Sequence, residues 1–132
     1  MPPHLSRRGL SLLEVILAIA ILGGALATIG QLIRIGARNA AEARDLTMAQ
    51  LYAETEMNRL AAGIDPLDAV KDAPYDDPGL YQYSVDVSGT DQTGLMAATV
   101  TVKQTPGTAL HPVSFMLSRW VVDPEQDRKS VV

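Results

Sequence analysis

Hydrophobic and polar positions follow three successive patterns along this chain. From Val15 to Ile33 apolar residues run without a charge, dominated by Leu, Ile and Ala. At about 1.5 Å of rise per residue, a helix of that length reaches roughly 28 Å, close to the hydrocarbon thickness of a bilayer. From Ala37 to Leu60 there is neither proline nor glycine, and Ala, Glu, Arg, Met and Leu favour continued helix. Ala49, Ala53, Met57 and Leu60 recur at helical spacing, with Leu46, Tyr52 and Glu56 less cleanly placed. Their spacing predicts one stripe laid on a globular head as core. Gly63 and Asp65-Pro66 supply a stop.

Beyond the helix the composition turns to Asp, Pro and Gly, and the segment from Asp65 to Gly79 reads as loop. The period then becomes two. Tyr81, Tyr83, Val85 and Val87 alternate with polar residues, as do Met96, Ala98, Val100 and Val102, while Val113, Phe115, Leu117 and Val121 share one parity around Arg119. Residues 88–94 and 106–112 carry the turn signals between these runs. Three antiparallel strands with a helix across one face give an α+β fold, a long N-terminal helix packed on a small antiparallel sheet. The charged tail from Asp123 is expected to fray.

The start of the chain holds the most specific chemistry. Arg7-Arg8-Gly9 leads into Leu10-Ser11-Leu12-Leu13-Glu14, so a carboxylate stands at the mouth of the apolar helix. A charge there is costly in lipid and marks function by default. The basic leader places its own side in the cytoplasm and the rest of the chain outside; Arg34 and Arg38 oppose that bias and are soon followed by Glu42 and Asp45.

Gly9, Leu-Ser-Leu-Leu-Glu and an apolar helix behind a basic leader resemble the class III signal of type IV pilins and type II secretion pseudopilins. The resemblance implies that a prepilin peptidase cuts after Gly9 and that the new terminal amine, on Leu10, is methylated. Glu14 is then the fifth residue of the processed chain. The usual residue after the scissile bond is phenylalanine, and here it is Leu10. The segment Ala49 to Leu60, the short head and the lack of cysteine are most similar to the small I-type minor pseudopilins.

The organisation expected on that basis is a cleaved leader at 1–9, a transmembrane helix at 10–36, an amphipathic helix at 37–62 and a periplasmic β-sheet head at 63–132. Expected partners are other minor and major pseudopilins, the prepilin peptidase and inner-membrane lipid, in a short filament that serves protein secretion. Physics agrees with the family role of Glu14: an amine brought to about 4 Å from its carboxylate by a staggered neighbour gains on the order of 4 kcal/mol at an effective dielectric near 20, before desolvation. Such a term selects a stagger without holding a filament alone.

Other readings compete at the same residues. Ala25-Leu26-Ala27 satisfies the small-x-small rule of a secretory signal, whose product would begin at Thr28; Glu14 and the helix continuing past that point disfavour it. A minor pilin of a type IV pilus and a non-polymerising, single-pass anchored binding protein are the functional alternatives. Gly23, Gly24 and Gly30 either let helices approach closely or mark a place where the helix loosens, and the resemblance favours loosening.

Composition narrows the remaining classes. Removing Arg7 and Arg8 takes Lys plus Arg from 11 to 9 against 15 Asp plus Glu, so the net charge moves from −4 to −6 and nucleic acid is a poor partner. Without cysteine the head must hold by its core alone. Asp65, Asp68, Asp72, Asp76 and Asp77 match no calcium-loop spacing and read as a solvated connector, with no metal or cofactor expected. His4 leaves with the leader and His111 stands in a turn without a nucleophile or acid nearby in sequence, so an enzyme is not expected. Tyr81, Tyr83 and Trp120 are read as core rather than as partner anchors.

Overall fold

The structure is a computed structural model that describes residues 9–75 and 78–123. The leader before Gly9, Asp76 and Asp77, and the tail after Asp123 lie outside the described residues, and so do the expectations placed on them. One long helix, α1 (Leu12–Ala61), precedes four strands: β1 (Val70–Pro74), β2 (Tyr81–Gly89), β3 (Leu95–Gln104) and β4 (Ser114–Val122). The arrangement is α+β, a long N-terminal helix packed on an antiparallel sheet.

Residues 1–40 and 41–132 form two compact units. In the first, the described residues are helical from Leu12 onward and every one of them is exposed. Ser11 starts the helix, its Oγ accepting from the Glu14 N–H at 3.3 Å while its carbonyl accepts from Val15 N–H at 3.2 Å. This is the capping-box pattern, Ser-x-x-Glu. The helix is unbroken through Gly23, Gly24 and Gly30 in the single chain. Backbone hydrogen bonding continues there because a single glycine costs a helix only about 1 kcal/mol relative to alanine. The Thr28 hydroxyl donates back to the Gly24 carbonyl at 2.8 Å.

In the second unit, residues 41–61 of α1 lie against the sheet. The helix closes in a Schellman turn: Gly63 takes φ +69°, its N–H donates to the Leu60 carbonyl, and Ile64 N–H donates to that of Arg59. Strand order is β1-β2-β3-β4, every neighbouring pair antiparallel. The sheet therefore has four strands where three were expected. β1 falls inside the segment read as loop; only Val70 and Ala73 of its five residues are apolar, its register with β2 is interrupted between them, and Asp72 takes φ 49°. No two-residue period survives such a bulge, and Pro74 is tolerated because β1 is an edge strand.

The core gathers Ala49, Ala53, Met57 and Leu60 against Tyr81, Val85, Ala98, Val100, Val102, Val113 and Val121. Val85, Val100 and Leu117 pair across three strands, so one parity of β2, β3 and β4 faces the helix. Ala49 and Ala53 are fully buried, and their small side chains let the helix lie close to the sheet. Leu46, expected on the stripe, is exposed instead. Trp120 corrects another expectation: it is 64% exposed, because it has the opposite parity to Phe115, Leu117 and Val121.

Candidate functional site

Two places in the chain carry chemistry. The first is the N-terminal step. Gly9 and Leu10 precede the helix in irregular backbone, and Glu14 stands in its first turn. Gly9 has open space around its Cα, with nothing within 4 Å of an added Cβ. Leu10, Leu12 and Leu13 are about three-quarters exposed. Among the described residues no cation pairs with the Glu14 carboxylate. A carboxylate near the helix N-terminus is favoured by the helix dipole. Its other electrostatic needs must come from solvent, a lipid headgroup or another chain. The structure thus places Gly9, Leu10 and Glu14 along one exposed segment. Ser11, which sequence reasoning passed over, is legible in Ser-x-x-Glu.

The helix beyond them, Leu12–Ala61, contains a segment long and apolar enough to cross a membrane, with none of that segment buried. Exposed Leu, Ile and Val side chains surround it on every side, from Val15 and Ile16 to Ile33 and Ile35. An all-round apolar helix is stable only in lipid or against other apolar helices.

The second place lies within the head, where the end of α1 meets the turn after it and the β1–β2 edge. A cavity of about 490 Å³ opens there, lined among others by Glu56, Arg59, Asp65, Asp68, Tyr75 and Tyr83. The Arg59 guanidinium holds Asp65 by two hydrogen bonds, Nε to Oδ2 at 2.7 Å and Nη2 to Oδ1 at 3.0 Å. That bond in turn holds Arg59 more firmly charged. Glu56 is only 7% exposed. Burial first, then the Asp65 carboxylate beside it, pushes its carboxyl above the ordinary Glu value, against the opposing pull of Arg59. Burial also raises the phenols of Tyr75 and Tyr83. Tyr52, Tyr75, Tyr81 and Tyr83 form a ring cluster, with centroids 4.4 Å apart for Tyr52–Tyr75, 5.2 Å for Tyr52–Tyr81 and 5.7 Å for Tyr75–Tyr83.

Asp72 of the connector is separately engaged. Asp72 accepts from Lys103 Nζ at 2.6 Å, which holds its carboxyl below the usual range, and Ser84 Oγ donates to the same oxygen at 3.3 Å. No group of three or more metal-ligating side chains occurs among the described residues. His111 lies exposed in the loop before β4. The cavity was not legible in sequence, because Glu56 and Arg59 reach Asp65 only after the chain reverses at Gly63. No protein-family model, curated protein or solved structure matches this chain.

Proposed function

We propose that this chain is a pilin-like structural subunit, a minor pseudopilin of the I type, which assembles with other pilin-like subunits in a type II secretion pseudopilus. One observation carries the reading: Gly9, Leu10 and Glu14 stand in order at the start of an apolar helix that is exposed all round. The residue types and spacing fit removal of residues 1–9 by a prepilin peptidase on the cytoplasmic side, methylation of Leu10, and retention of the helix in the inner membrane. The C-terminal head then lies in the periplasm. Glu14, lacking a cation of its own among the described residues, receives the freed amine of an adjoining subunit. Binding and displacement are the mechanism, and the chemistry of cleavage belongs to another protein.

Intact-mass measurement of the protein recovered from a bacterial host with an active prepilin peptidase tests this reading. The expected species begins at Leu10 and carries one added methyl group. A mass that retains the first nine residues, or one that begins at Thr28, overturns it.

One observation favours a second reading. Ser11 Oγ accepts from the backbone N–H of Glu14 in a Ser-x-x-Glu pattern, the setting in which a Glu side chain favours the helix start without any assembly role. On that reading the chain is a non-polymerising, single-pass anchored protein. A minor pilin of a type IV pilus shares the processing and differs only in its partners.

A further inference from the structure

The cavity of about 490 Å³ in the head keeps a carboxyl where packing alone favours an apolar side chain. Glu56 falls on the buried stripe of α1 with Ala49, Ala53, Met57 and Leu60, and it is itself buried. Burying a carboxylate is costly unless it is paired and hydrogen-bonded. Among the described residues its hydrogen-bonding neighbour is Asp65, a second acid. Arg59 acts on Glu56 only through space, since its fork is on Asp65 at 2.7 and 3.0 Å. Asp68 adds a third acid to the lining, and it is exposed. Three carboxyls thus stand against one guanidinium, and that guanidinium is taken.

The rest of the lining narrows the ligand. Tyr75 and Tyr83 stand edge to face with centroids 5.7 Å apart, and an aromatic face attracts a cation. Leu60, Val70 and Val85 supply an apolar wall. No group of three or more metal-ligating side chains occurs among the described residues, so the lining does not suit a bare metal ion. An anion would meet three acids. The volume lies within the range of small-molecule sites, roughly 300–1,000 Å³. We propose that this cavity binds a primary alkylammonium group, its charged head on Glu56 and its apolar stem against Leu60, Val70 and Val85. The head supplies both the positive charge and the donors that Glu56 lacks, since an ammonium carries three N–H groups. Burial and the neighbouring Asp65 favour a proton on Glu56, and they favour this cation for the same reason. Such a group is carried by a free amine or by a lysine side chain of another protein. Binding is independent of cleavage at Gly9.

The full chain, with isotope-labelled tyrosine rings, is held in dodecyl maltoside micelles at pH 7 and followed by nuclear magnetic resonance. At matched ionic strength it is titrated with n-butylammonium, with Nα-acetyl-lysine methylamide, and with neutral n-butanol as the control. n-Butylammonium is expected to shift the Tyr75 and Tyr83 ring signals saturably and to bind at least tenfold tighter than n-butanol. Glu56→Gln, which keeps the shape of the side chain, should weaken that binding at least tenfold. Asp86→Asn, which removes an exposed acid of β2 outside the cavity, should leave it within twofold. A lysine amide that binds at least as tightly as n-butylammonium assigns the head group to a protein partner. One that is excluded while n-butylammonium binds assigns it to a free amine, and both outcomes uphold the site. n-Butanol binding as tightly as the ammonium, undiminished binding by Glu56→Gln, or an equal loss in Asp86→Asn overturns the proposal. So does the lack of a saturable shift with either ammonium. The comparison with n-butanol needs no variant, so it decides the matter even where Glu56→Gln fails to fold.

Discussion

At the scale of single residues, Glu56 shows how a buried charge is managed in a small head. The residue is buried, 7% exposed, and Arg59, the cation that acts on it, is already committed to Asp65. Burial and Asp65 both favour the protonated acid, so the folded chain binds a proton more tightly than the unfolded chain does. The linked stability is fully present below the unfolded value of about 4.3 and is lost as pH rises through the higher folded value. Glu56→Gln keeps the shape without the charge. Thermal unfolding followed by circular dichroism should show the variant melting several degrees above the parent at pH 7, with the two curves converging at pH 4. A variant that melts lower at pH 7 would mean that ionised Glu56 is compensated by a partner.

At the scale of elements, helix and sheet are joined through small residues. Ala49 and Ala53 are both fully buried, which leaves no room for a branched side chain between α1 and the sheet. Ala53→Leu should cost about 1–3 kcal/mol by overpacking. Leu46→Ala, at an exposed position of the same helix, should stay within about 0.5 kcal/mol. Urea unfolding of the two variants separates them, and equal losses would refute this account of the packing. The alternation in Tyr81–Val87, Met96–Val102 and Val113–Val121 was enough to place β2, β3 and β4, because strand faces differ when only one side is covered. β1 was hidden by its bulge. Scarcity of aromatics does not bury Trp120, because its place on β4 has the parity opposite to Leu117 and Val121.

At the scale of the whole molecule, the proposed assembly rests on whether Glu14 acts as a helix cap or as a charge. Glutamine at that position preserves a capping box, since Gln replaces Glu in that motif, yet it cannot pair with a terminal amine. If the charge draws in an adjoining subunit, Glu14→Gln should insert into the membrane normally and lose co-purification with other pilin-like subunits by at least tenfold. If capping is the whole of its role, Glu14→Gln should match the parent, while Glu14→Ala weakens the first turn. Detergent solubilisation followed by affinity pull-down distinguishes these outcomes.

The sequence by itself determined everything that depends on spacing along one element: an uncharged membrane-length helix, a carboxylate at its mouth behind Gly9, a buried stripe from Ala49 to Leu60, and three alternating strands. Periodicity is enough there because a helix or a strand presents its side chains by local geometry alone. Tertiary structure decided what depends on residues distant in sequence meeting. It placed Glu56 and Arg59 beside Asp65 across the turn at Gly63, added a bulged edge strand whose hydrogen bonds come from β2, and left β4 as the long open edge. Those outcomes follow from which strands neighbour each other and which surfaces are covered, and a pattern read along a single segment does not contain that information.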